Sequence, residues 1–336
     1  MNTDDLLTLE TVAADGRNAA ARLAHTAGVS RQVASARLAR AVRAGWLERT
    51  GQGAGVRYTL KPLMEVDQSF VREGLSEDRV WREWLAPLVA DLPTHVKDIW
   101  HYGLTEMVNN AIDHSGSDTV RLTMCRSALW TRAEVRDGGL GIFERIRQAL
   151  DLFDPREAIL ELAKGKFTTD PANHSGEGIF FSSKMFDAFE IRSGGLHFMH
   201  SGDGLPDVLS EQTPRLAGTS IAMQLDNRSQ RRMRDVFDQF AAPEEFTFAK
   251  TVVPVRLAQH EGEKLMSRSQ AKRLTMRFER FQTVVLDFSG VEDIGQGFAD
   301  EVFRVFQQAH PETHMVPIHM TDDVRRMVGR MLARPT

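Results

Sequence analysis

Glu106, Asn110 and His114 stand four residues apart in the stretch Glu106-Met-Val-Asn-Asn-Ala-Ile-Asp-His-Ser115. In a helix that spacing puts all three side chains on one face. A carboxylate able to activate water then sits one turn from a carboxamide able to hold a hard cation. Such a row is by itself no more than a solvated helix face. It gains weight from three segments further along the chain, in order: Asp137-Gly-Gly-Leu-Gly-Ile142, Gly176-Glu-Gly-Ile179 and Gly218-Thr-Ser220. Glycines let backbone approach a ligand closely, and N–H groups at a helix start can cradle anions.

These residues need elements to position them. Val96, Ile99, Trp100, Leu104, Met107, Val108 and Ala111 repeat at helical spacing, so a helix buries them and turns Glu106, Asn110 and His114 away from its centre. An earlier helix is expected over 75–92, with Trp81 and Trp84 as packing residues, and Pro93 separates the two. Residues 119–124 and 131–136 alternate as strands, and the second runs directly into Asp137. The segment 164–178 is rich in glycine and small polar residues and reads as a loop able to close over phosphates, with Lys164 and Lys166 as candidate contacts. A helix from Ile179 to Phe186 comes after it, and Gly218-Thr219 opens a strand over 220–225.

The four motifs, in this order and spacing, resemble the boxes of the GHKL ATPase superfamily, which includes histidine kinases, anti-sigma kinases and the DNA gyrase B subunit. The resemblance spans roughly residues 75 to 227. It implies ATP and Mg²⁺ as cofactors. By that resemblance Asn110 ligates Mg²⁺, and Glu106 is the general base of hydrolysing members or an assistant in phosphoryl transfer. Asp137 accepts a hydrogen bond from the adenine amino group, and Thr219 supports Asp137 directly or through water. Asp113 and His114 lie near the phosphates at the helix exit. Gly139, Gly141 and Ile142 pass by the base and ribose, and Lys166, Gly176, Glu177 and Gly178 belong to the phosphate side.

At the N-terminus, Ala19, Ala20, Leu23 and Ala24 mark a helix over 17–27, which Ala27-Gly28-Val29 breaks. Ser30 is a natural N-cap for a second helix through Val33, Leu38, Ala41 and Val42. A short strand over 45–49, the glycine turn 51–55 and a returning strand over 56–60 come next. Helix, turn, helix and hairpin resemble a winged helix-turn-helix. The second helix carries Arg31, Arg37, Arg40 and Arg43 and no acid. DNA is therefore the expected partner, met by Ser30, Arg31, Gln32, Arg37 and Arg40 from the helix and by Arg57, with Gln52, from the wing. The competing reading is a winged helix used for protein contacts.

Beyond the basic stretch 226–234, Val284–Phe288 reads as a buried strand, Gly290 as a turn, 298–306 as an amphipathic helix and 314–319 as a second strand. This arrangement resembles the STAS-like domain found after GHKL domains, and a protein partner is expected there. It departs from STAS switches at Gly295-Gln296-Gly297, where those carry a phosphorylatable Ser or Thr. Asp293 and Asp300 read as charges at the helix start.

The whole chain has 336 residues, 42% hydrophobic and 26% charged, with a net charge of −4, which argues against a uniformly basic nucleic-acid binder. One cysteine, Cys125, cannot form an internal disulfide and suits a reducing compartment, so the expected location is cytoplasmic. No apolar run approaches ~18 residues, and no membrane span is expected. The expected fold is α/β multidomain: a winged helix over 1–62, a GHKL sandwich of helices on one mixed sheet over 63–230 with an N-terminal linker helix, and a small STAS-like α/β domain over 231–336. The expected function is an ATP-binding, nucleotide-switched DNA-binding regulator with slow or no hydrolysis, expected to be a homodimer. A protein kinase of the anti-sigma or histidine type is the alternative, and a DNA-remodelling ATPase the third. A histidine kinase needs an acceptor histidine on a helical hairpin, and neither His95 nor His101 is followed by the usual acid.

Overall fold

The computed structural model describes residues 1–167, 176–202, 207–241, 248–259 and 263–332. Three helices open the chain: α1 (Thr3–Ala14), α2 (Ala19–Ala27) and α3 (Arg31–Arg43). Asn2 and Asp5 form a capping box at the start of α1, a helix not foreseen from the sequence. Gly28 ends α2 in a left-handed conformation, and the Ser30 hydroxyl accepts from Val33 N–H at 3.3 Å to start α3. The strands β1 (Leu47–Thr50) and β2 (Arg57–Leu60) pair antiparallel. Leu9, Leu23, Leu38 and Leu47 are buried together, and Leu129 joins them from a turn of the next sheet.

That sheet has five strands, β3 (Met64–Val71), β4 (Thr119–Arg126), β5 (Trp130–Asp137), β6 (Ala188–Ser201) and β7 (Val208–Asp226), in the order β3-β4-β5-β7-β6. Its pairings are all antiparallel, so the expected mixed sheet is corrected. Strand alternation turns Val120, Leu122, Met124, Ala133 and Val135 inward. The layer they meet contains α5 (Thr94–His114), α6 (Ile142–Ala149), α7 (Glu157–Lys164) and α8 (Gly178–Met185). On α5, Val96, Ile99, Trp100, Leu104, Met107, Val108 and Ala111 are buried, the stripe read from the sequence. Trp100 meets Phe186 edge-on at 4.8 Å.

Two of the expected elements take a different form. The helix expected over 75–92 is broken into α4 (Glu77–Val80), a π-helical turn Trp81–Leu85 and a 3-10 turn Ala86–Val89. Pro87 lies at the start of that last turn, where it has no N–H to continue the ladder. The strand expected from residue 220 begins at Val208, and Gly218 sits inside it, next to a break in register against β6.

The last part of the chain builds a parallel three-stranded sheet, β10-β9-β8, from β8 (Lys250–Pro254), β9 (Thr283–Asp287) and β10 (His314–Ile318). Around it lie α9 (Met233–Phe240), α10 (Arg268–Thr275), α11 (Gln296–Asp300), which continues as a π-helical segment Glu301–Phe306 into α12 (Gln307–Ala309), and α13 (Asp322–Leu332). Phe237 and Phe240 of α9 pack on Phe181 and Phe180 of α8. One buried apolar cluster runs from α5 to α13, so the packing has no break at 230/231. Among the described residues no helix is long and apolar enough to cross a membrane.

Candidate functional site

The C-terminal half of α5, the end of β5, the start of α6 and the start of α8 surround a cavity of about 360 Å³. Glu106, Asn110 and His114 line it from α5, Asp137, Gly141 and Ile142 from the β5–α6 turn, Gly176 and Gly178 from the entry to α8, and Thr219 from β7. The four motifs, separated by more than a hundred residues of chain, thus meet in one place. Asp113, Gly139, Lys166 and Glu177 are not in the lining.

Asp137 is 8% exposed at the cavity wall. Its Oδ1 accepts from Gly139 N–H at 2.9 Å and from Thr219 N–H at 3.3 Å. Burial pushes its carboxyl above the usual range, opposed by those N–H groups, by the Thr219 hydroxyl and by the Arg145 charge. Thr219 Oγ1 also accepts from Ile142 N–H at 3.0 Å, so this one side chain ties Asp137 to the first turn of α6. Asp137 is thus a fixed hydrogen-bond acceptor in a largely apolar wall that includes Met107, Val135, Ile146, Leu162 and Ile221.

Glu106 lies across the cavity, against the start of α8. A methyl group on Gly178 would stand 1.9 Å from Glu106 Oε2, so glycine lets the carboxylate rest against the start of the helix in this side-chain conformation. Burial, with the carboxylates of Glu106 and Glu177, pushes the Tyr102 phenol up. Asn110 is the candidate cation ligand. Among the described residues no group of three His, Cys, Asp or Glu side chains could hold a metal. Asn109 also lines the cavity, and an Mg²⁺ ion here would depend on ligand oxygens and water beyond these amides, which suits a cation that arrives with phosphates.

The lysines are placed differently from the sequence reading. Lys164 is fully buried; its Nζ donates to Glu161 Oε1 at 2.5 Å and to the carbonyls of Met276 at 2.9 Å and Arg273 at 3.2 Å. Lys166 donates to the Arg280 carbonyl at 3.0 Å and lies over the Phe281 ring at 5.0 Å. Both are thereby committed to the C-terminal part rather than to the cavity. The rest of the proposed closing loop, 168–175, lies outside the described residues. Asp113 is exposed beside the helix exit. Arg145, unmarked by any motif, is a lining residue that the sequence reading missed. A basic residue in the first turn of the helix after Asp137-Gly-Gly-Leu-Gly was its only signal.

In the N-terminal part, Arg31 and Gln32 of α3 and Arg57 of β2 are exposed. Arg37 pairs with Asp4 at 2.9 Å and Arg40 with Asp5 at 2.5 Å, so both are tied to α1. The α3 sequence is free of acids, yet α1 supplies two.

Gly295 closes the C-terminal departure. A methyl group there would stand 2.7 Å from Met266 Cα, so the chain before α10 covers the position where STAS switches present a hydroxyl. Comparison with the curated proteins returned no match. Residues 270–325 match the model of the STAS-like domain of unknown function (DUF4325), and the C-terminal part of the chain carries a STAS-like domain.

Proposed function

We propose that the cavity is a GHKL-type site for ATP with Mg²⁺, and that the protein is a nucleotide-switched, DNA-binding regulator with slow or no hydrolysis. The observation that carries this is the convergence of Glu106, Asn110, Asp137, Gly141, Gly178 and Thr219 on one cavity, with Asp137 held as a buried acceptor. In this reading the Asp137 carboxylate accepts the exocyclic amine of adenine, and the Thr219 hydroxyl keeps it oriented. Asn110 would hold the metal, whose contribution is to neutralise phosphate charge. Glu106, beside the start of α8, orients a water and takes its proton. His114 and Arg145 add donors for the phosphate or sugar oxygens.

The N-terminal module binds DNA through α3 and the β1–β2 wing, with Arg31, Gln32 and Arg57 as its exposed contacts. Arg37 and Arg40 act mainly by fixing α3 against α1. No phosphoprotein is expected: the STAS-like helix start carries glycines, and the His95 ring is bound to the Ser229 carbonyl at 2.8 Å.

Titration calorimetry of the full chain with ATP and GTP tests the nucleotide site. Binding of ATP in preference to GTP, lost in Asp137→Asn, is the expected result. Equal affinity for the two nucleotides, or unchanged affinity in the variant, would overturn the assignment.

A further inference from the structure

The stem of the segment that comes after α7 is held by the C-terminal domain. Arg277, just beyond α10, is 7% exposed and reaches into this stem. Its guanidinium donates to Glu161 Oε2 at 2.9 Å, to the Gly165 carbonyl at 3.1 Å and to the Lys166 carbonyl, and it lies over the Phe167 ring at 5.3 Å. Arg280 donates to the same Lys166 carbonyl at 3.3 Å, and Thr251 to the Lys164 carbonyl at 2.7 Å. Leu162 and Phe167, on either side of the gripped residues, line the cavity, and Phe167 N–H donates to the carbonyl of Gly176, another lining residue.

Two further features set this contact apart from ordinary packing. Lys166 and Arg277 both have positive φ, 51° and 67°, although neither is glycine. Such backbone persists only where surrounding contacts over-determine it. Glu161, 2% exposed, accepts from Lys164 and Arg277 together, so one buried carboxylate from α7 joins the stem to the domain. A planar fork that meets a carboxylate and two carbonyls at once is a task for arginine and not for lysine. Arg273, by contrast, sends its side chain to Glu157 at 3.0 Å in the same interface, and meets the stem only through its backbone carbonyl, which accepts from Lys164.

We infer that Arg277 of the STAS-like domain is a positioning residue for the nucleotide cavity: it fixes the 164–167 stem so that Phe167 and Gly176 close one wall, and it thereby links occupancy of the cavity to the state of the STAS-like domain. The inference rests on the nucleotide reading above. Because coupling is reciprocal, a ligand that tightens this wall must also tighten the Arg277 contact.

The test uses the full chain and four forms: wild type, Arg277→Lys, Arg273→Ala and Asp137→Asn. ATP·Mg²⁺ affinity is measured by calorimetry, and amide hydrogen exchange over 277–281 is monitored with and without ATP·Mg²⁺. Wild type should show slower exchange over 277–281 when ATP is bound. Arg277→Lys should lose affinity at least tenfold and lose that protection, whereas Arg273→Ala should keep both even if its melting temperature falls. Equal losses in Arg277→Lys and Arg273→Ala would reduce Arg277 to general interface stability and overturn the inference. Wild-type affinity and protection in Arg277→Lys would also overturn it, while loss of binding in Asp137→Asn leaves the nucleotide reading standing. A wild type that binds no ATP overturns both.

Discussion

At the scale of single residues, the proposed nucleotide site divides its work between Asp137 and Glu106. Asp137 accepts an amine hydrogen bond most strongly when ionised, and burial raises its carboxyl above the ordinary 3.8. Nucleotide affinity should therefore weaken as pH falls through that raised value, at pH values where an exposed aspartate is still ionised. In the free protein the sign is opposite. The group's contribution to stability is complete below 3.8 and is lost as pH rises through the raised value, because the fold then holds a buried charge. Calorimetric titrations at several acidic pH values check the first effect. Glu106→Ala should cost about a hundredfold or more in phosphate release while ATP affinity stays within a few-fold, since the carboxylate acts on water. Turnover unchanged in this variant would remove Glu106 from the chemistry. The helical row of Glu106, Asn110 and His114 was legible from spacing, whereas the roles given to Asp137 and Glu106 come from the resemblance to the GHKL boxes. Arg145 was not, because an isolated arginine on a helix has no pattern, and only the fold turns it into the cavity. Lys164 and Lys166 misled for a related reason. A lysine in a glycine-rich stretch looks solvated, and its acceptors, the carbonyls of Arg273, Met276 and Arg280, lie more than a hundred residues away.

At the scale of elements, the amphipathic stripe of α5 and the alternation of β4 and β5 were readable because their periods are clean. The edge strand β3 was missed: Met64, Val66 and Phe70 share one face, but Gln68 interrupts that row and the face is only half-buried, so its pairing with β4 defines it. The length of β7 was missed as well, since Gly218 looks like a strand start. It is instead a residue at φ 76° inside the strand, where a methyl group would stand 2.1 Å from the Asp137 carbonyl oxygen. Gly218→Ala should cost about 3 kcal/mol of stability, from left-handed strain and overpacking together. It should also lose nucleotide binding by displacing Asp137; thermal denaturation and calorimetry measure the two. For the N-terminal helices, the ion pairs of Arg37 and Arg40 with α1 change which substitutions are informative. Arg40→Glu sets a second carboxylate beside Asp5 and should lower stability by roughly 1 kcal/mol, visible as a lower melting temperature. Arg31→Glu with Arg57→Glu should leave the melting temperature unchanged, weaken DNA binding at least tenfold and flatten its salt dependence. Wild-type retention on DNA by that double variant would point α3 toward a protein partner instead.

At the scale of the whole molecule, three units were expected from the sequence, and the C-terminal one is a STAS-like domain. What the sequence could not reveal is how little separates it from the cavity. Boundaries were read from a basic, polar stretch near residue 230, yet α9 packs its phenylalanines on α8, and Arg277 holds the stem beside the cavity. Contacts between distant segments leave no local periodicity, so they appear only in three dimensions. The N-terminal unit is joined in a similar way: Leu129, in the turn between β4 and β5, is buried in its core. Asn227, after β7, braces that turn by donating to the Ser127 carbonyl at 2.9 Å. The cavity wall therefore meets the C-terminal domain through the stem, and the sheet that carries the cavity meets the N-terminal unit at its β4–β5 turn. The proposed nucleotide-switched regulator should bind DNA differently in its nucleotide states. The direct measurement is a titration of DNA with the full chain in three conditions: no nucleotide, ADP with Mg²⁺ and ATP with Mg²⁺. The account predicts at least a fivefold difference in DNA affinity between ATP and no nucleotide, the lower end of ordinary coupling between sites, and no such difference in Asp137→Asn. Equal DNA affinity in all three conditions, from a protein that demonstrably binds ATP, would contradict it.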